Sequence, residues 1–104
     1  MAKKVNTKLS LYLHLASRGT AKDIDLIMQD LTNKVILEDS KFIDYALGQV
    51  SSIEGIERLT HYLYHGTQIQ RNYCALFFSR RDDWDKVNKA YKMGCIDVIQ
   101  AYAR

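Results

Sequence analysis

The sequence predicts an all-α fold: a compact bundle of six to seven short helices built from antiparallel helical hairpins, with a short α-α superhelix as the alternative. Three observations predict it. Proline is absent from all 104 residues, so nothing in the chain removes a backbone donor or clashes with a preceding helical turn. Hydrophobic residues make up 47% of the chain and recur mainly at spacings of three and four, the period of one helix face. Glycines and capping side chains punctuate these stretches at helix-loop-helix intervals. The length suits a single domain spanning residues 1–104, with residues 1–6 as a flexible N-terminal arm.

The first apolar stretch runs from Leu9 to Ala16 and stops at Gly19, a C′ candidate. Thr20 offers an N-cap oxygen to a second helix, with Asp23 adding a favourable charge in its first turn. Ile24, Ile27, Leu31 and Val35 follow at spacings of three and four, widened by Leu26 and Met28. This predicts a helix ending near Asn33 or continuing through Val35-Ile36-Leu37, which is also the only strand candidate. Ser40 is the expected cap of a third helix carrying Phe42, Ile43, Ala46, Leu47 and Val50. Ser51 and Glu54 have capping-box spacing for a fourth, whose face is Ile53, Ile56, Leu59 and Leu63 and whose stop is Gly66.

Thr67 and Gln70 repeat that box and open a fifth helix through about residue 79. Its apolar residues Ile69, Tyr73, Cys74, Ala75, Leu76, Phe77 and Phe78 leave almost no polar face, which predicts a central position. Asp82 or Asp83 caps a sixth helix with Trp84, Val87, Ala90 and Tyr91 on one face and Gly94 as its stop. Asp97 opens a short last helix with Val98, Ile99 and Tyr102. Helix pairs starting near residues 7, 40 and 67 give offsets of 33 and 27, too irregular for a solenoid repeat.

The net charge of +3 is unevenly spread: +3 over residues 1–34, −3 over 35–66 and +3 over 67–104. Solvated faces account for this, with intramolecular complementarity or head-to-tail self-association into a homo-oligomer as the alternatives. No apolar run approaches the roughly 18 residues of a membrane span, and MAKKVNTKL has no signal-peptide core. Cys74 and Cys95 form no C-x-x-C motif or disulfide framework, so the chain is read as cytoplasmic with reduced thiols. Cys74, inside an apolar run, is expected in the core.

Five groups of residues carry the functional expectations. Arg58, His61, Tyr62 and His65 fall on the side of the fourth helix opposite Ile56 and Leu63, and arginine with tyrosine is the composition of interface hot spots. Arg71 is either a structural group, reaching solvent or a carboxylate, or a binder of an anion or a partner's carboxylate. Arg80, Arg81, Lys86, Lys89 and Lys92 form a basic stretch that suits phosphate contacts, and Arg104 extends it. Asp82, Asp83 and Asp85 sit at a helix start, where capping and the macrodipole explain them without a metal. His61 and His65 have chelating spacing with Glu57 as a third candidate ligand, yet Arg58 beside them and the missing H-E-x-x-H glutamate argue for exposed histidines and no metal.

No Ser/His/Asp or Cys/His order compels a nucleophile. The expectation is therefore a non-enzymatic protein-protein interaction module, an adaptor, regulatory subunit or inhibitor, without a cofactor. A small nucleic-acid-binding protein is the alternative. A metal-dependent enzyme resting on His61 and His65 is the weakest reading.

Overall fold

The computed structural model describes residues 7–102. Among them are seven helices and no strand: α1 (Thr7–Arg18), α2 (Ala21–Met28), α3 (Leu37–Leu47), α4 (Ile53–His65), α5 (Gln68–Arg80), α6 (Trp84–Lys92) and α7 (Val98–Tyr102). The all-α class and the number of helices are as the sequence predicts. The expected N-terminal arm, residues 1–6, and Arg104 lie outside the described residues. The chain divides into two compact units, one ending at Gly55 and the other beginning at Ile56.

In the first unit α1 packs against α2 and α3. Its core is three stripes of helical period: Tyr12, Leu15 and Ala16; Ile24, Ile27, Met28 and Leu31; Ile43, Ala46, Leu47 and Val50. Each buried Ile, Leu or Val contributes about 1.5–3 kcal/mol relative to exposure. Tyr12 is only 1% exposed, and its hydroxyl donates to the Asp30 carboxylate at 2.8 Å, which removes the cost of burying the phenol oxygen unpaired.

The turn between α1 and α2 is closed by local chemistry. Gly19 sits at φ +63° and its N–H bonds the Leu15 carbonyl at 2.9 Å, an αL cap that a Cβ would strain. Thr20 and Asp23 then form a reciprocal capping box. Two more partners come from further along the chain. Ser52 Oγ donates to the Gly19 carbonyl at 2.7 Å, and Glu54 accepts the Ala21 N–H at 2.7 Å.

Three boundaries differ from the sequence expectation. α2 stops at Met28, and residues 29–36 run as turns and irregular chain, so Val35-Ile36-Leu37 is neither strand nor helix continuation. α3 starts at Leu37, not after Ser40; Ser40 is buried inside it and bonds back to the Leu37 carbonyl at 2.8 Å. Ser52, not Ser51, supplies the oxygen at the start of α4, accepting from the Gly55 N–H at 3.1 Å, which frees Glu54 for Ala21. With α3 moved forward, the odd helices start at 7, 37, 68 and 98 and the even ones at 21, 53 and 84. Their offsets are 30 to 32, far more regular than the sequence alone gives.

In the second unit α5, α6 and α7 pack on one another. The buried residues are Leu59 and Leu63 of α4, Cys74, Ala75, Phe77 and Phe78 of α5, Val87 and Ala90 of α6, and Ile96 and Ala101. Ser79 is the polar group sealed among them, and its hydroxyl donates to the Ala101 carbonyl at 3.2 Å. Thr67 and Gln70 form the expected capping box of α5. Asp97 and Gln100 bond reciprocally at 2.9 and 2.7 Å to open α7.

Two helix ends in this unit share one motif. At the end of α6, Gly94 has φ +77° while its N–H bonds Tyr91 at 3.1 Å and the Cys95 N–H bonds Ala90 at 2.9 Å. At the end of α5 the same pair of bonds runs from Asp82 to Ser79 at 3.0 Å and from Asp83 to Phe78 at 2.9 Å. These are Schellman caps. In the second, Asp82 takes the left-handed position at φ +59°, so it ends α5 and does not cap α6. Asp83 is the N-cap residue of α6 without a side-chain cap bond.

Candidate functional site

α4 presents its apolar side, Leu59 and Leu63, to the interior. Helical geometry therefore turns residues 58, 61, 62 and 65 the other way. His61 and His65 are exposed, and Arg58 and Tyr62 are half-buried. The four side chains touch in series. The Arg58 guanidinium lies over the Tyr62 ring, 5.4 Å from its centroid, a cation-π contact. Tyr62 meets the His61 ring edge to face at 5.6 Å and 81°. His61 and His65 lie 5.1 Å apart at 41°. The structure thus brings together four of the five residues expected to contact a partner.

The fifth, Arg71, is engaged within the second unit. Its Nε donates to the Cys95 carbonyl at 2.5 Å and its Nη1 to the Gly66 carbonyl at 2.6 Å. Gly66 ends α4 and Cys95 follows the α6 cap, so one planar guanidinium satisfies two carbonyls on two chain segments. Neither solvent nor a carboxylate is its partner in these two bonds. Sequence spacing carries no signal for this, because both acceptors are backbone atoms that any residue supplies.

The basic stretch is interleaved with rings and acids. Arg81 lies 5.0 Å from the Phe77 centroid, Lys86 5.3 Å from Phe78 and Lys89 5.3 Å from Tyr64. Lys86 Nζ also pairs with Asp83 at 2.7 Å, one third exposed. Arg80, Arg81, Lys89 and Lys92 are exposed, as is Asp85. At 100° per residue Asp85 falls between Lys89 and Lys92 on α6, which places a negative charge inside the basic stripe.

Among the described residues no three His, Cys, Asp or Glu side chains converge as metal ligands. Glu57 therefore does not complete a three-ligand set with His61 and His65, and Asp82, Asp83 and Asp85 do not converge on one point. Cys74 is fully buried, and burial pushes its thiol well above the usual range, so neither thiolate nor access is offered there. Cys95 is half-buried with its Sγ 3.5 Å from the Tyr64 carbonyl. No helix among the described residues is long and apolar enough to cross a membrane.

The sequence pattern misplaces several apolar side chains. Ile53, expected on the buried face of its helix, is 79% exposed, and Ile99 is 75% exposed. Ala101 fills the α7 contact instead. Leu37, at the start of α3, is 71% exposed. All three stand in the first turns of their helices, where a residue has neighbours on one side only. Comparison with protein-family models, with curated proteins and with solved structures finds no match for the chain.

Proposed function

We propose that the protein is a small non-enzymatic protein-protein interaction module, an adaptor, regulatory subunit or inhibitor of a larger cytoplasmic protein. The observation that carries this reading is the outward row Arg58, Tyr62, His61 and His65 on α4, each ring or cation in contact with the next. Arginine and aromatic side chains supply large contact area and polar ends at once. Mutual stacking on a helix holds them in place before a partner arrives, so less side-chain freedom is lost on binding. Arg71, committed to two carbonyls, supports the end of this helix from within.

The test is the double substitution Arg58→Ala with Tyr62→Ala in a tagged pull-down from host lysate treated with nuclease. The expected outcome is loss of a partner that the unsubstituted protein retains, with unchanged far-UV circular dichroism. Retention of that partner by a folded double variant refutes the assignment. The alternative, nucleic-acid binding through Arg80, Arg81, Lys86, Lys89 and Lys92, draws support from the number of exposed cations there, and Asp85 weighs against it. Nuclease sensitivity of everything captured would favour that alternative.

A further inference from the structure

We propose that His61 and His65 form a two-imidazole binding site for a borderline transition-metal ion such as Zn2+ or Cu2+, with the remaining coordination positions open to water. The inference does not depend on the proposed partner-binding role, although the residues share a face. Its basis is geometry that the sequence spacing alone does not supply. The two ring centroids lie 5.1 Å apart. A Zn–N bond of about 2.0–2.1 Å plus about 1.1 Å from ring nitrogen to centroid puts each centroid about 3.2 Å from a shared ion. At a tetrahedral angle two such centroids stand about 5.2 Å apart, and at a right angle about 4.5 Å. The separation already present is one that a tetrahedral ion allows, and turning the two side chains about their own bonds to bring one nitrogen of each ring to the ion needs no change in the helix that carries them.

Access and charge are compatible with it. Both histidines are exposed, so the ion enters without opening the core. The objection raised by the sequence is Arg58, whose charge would repel a cation. In the structure that guanidinium lies over the Tyr62 ring, 5.4 Å from its centroid, so part of its charge is met by that π face. Glu57 stands one turn before His61 on the same stripe. It is not a ligand in this geometry, but its carboxylate offsets the arginine at a range where surface charges still act. Tyr62 also meets His61 edge to face at 5.6 Å. Two protein ligands leave room for further donors, so the site is suited to reversible capture and not to a closed structural role.

The experiment is calorimetric titration of the full chain with ZnCl2 and, separately, CuCl2 at pH 7.5 in a non-chelating buffer. Saturable binding of one ion at micromolar protein is expected, weakened by about tenfold or more in both His61→Ala and His65→Ala. His14→Ala, on α1, should bind as the unsubstituted protein does. Absence of saturable binding overturns the proposal, and so does a single histidine variant that retains full affinity. A second measurement needs no variant: zinc should slow diethyl pyrocarbonate modification of His61 and His65, read by mass spectrometry, and leave His14 unaffected. Equal modification with and without zinc would also sink the site.

Discussion

Arg71 and Asp23 show how single side chains hold this chain together. Arg71 donates to the carbonyls of Gly66 and Cys95, and removing it strands two partly enclosed acceptors. Arg71→Met is expected to destabilise the protein by about 2–3 kcal/mol, measurable as a lower urea midpoint at unchanged slope. Asp23 is nearly buried and accepts from the Thr20 hydroxyl at 2.7 Å and the Thr20 N–H at 3.2 Å. The hydroxyl bond, foremost, holds its carboxyl below the ordinary value of 3.8, helped by the backbone bond and by Arg18, against the opposing effect of burial. A depressed carboxyl contributes stability that is present above its unfolded value and is lost as pH falls through the folded one. Asp23→Asn should therefore flatten the acid limb of the stability profile below about pH 4 and leave its shape at neutral pH unchanged, checked by urea melts from pH 2.5 to 7.

At the scale of elements, helix ends decide the boundaries, and two of them invite opposite substitutions. Gly19 has φ +63°, and a Cβ there would stand 2.1 Å from Ser52 Oγ. Gly19→Ala adds left-handed strain of about 1–2 kcal/mol and displaces the hydroxyl that bonds this turn. Asp82 occupies the equivalent left-handed position after α5 with a Cβ, so Asp82→Gly should stabilise by up to about 1 kcal/mol. Thermal melts by circular dichroism should move down for the first and up for the second. Thr20, Thr67 and Asp97 were legible in the sequence as helix starts, and Thr67 with Gln70 as a capping box, because the partners lie three residues apart. The start of α3 was not. Ser40 has the composition of a cap, yet here its hydroxyl bonds back within the helix, and burial at that position outweighs its capping preference.

At the scale of the whole molecule the charge pattern separates the two functional readings. Residues 67–104 carry seven basic and four acidic side chains, with Asp85 set among the lysines of α6. Five phosphate contacts would cost about 500-fold in affinity between 50 and 200 mM salt. An interface built on the Arg58 and Tyr62 row should change only a few-fold over that range, because aromatic burial is not screened. Titrating the captured partner, or a random single-stranded oligonucleotide, across those salt concentrations distinguishes the two. The steep dependence with the oligonucleotide, together with no captured protein, would count against the interaction module.

What the sequence by itself determined is the helical class, the order of the helices, most of the core and the gathering of Arg58, His61, Tyr62 and His65 on one side of α4. These follow from local periodicity, from caps whose partners are close in the chain, and from the absence of proline. What only the tertiary structure decided is which apolar residues find neighbours, since Ile53 and Ile99 keep the helical spacing and remain exposed. It also decided that Arg71 binds the Cys95 carbonyl 24 residues away. The physical reason is common to both. Backbone carbonyls and packing partners are set by atoms brought near through folding, and residue spacing along the chain does not encode them.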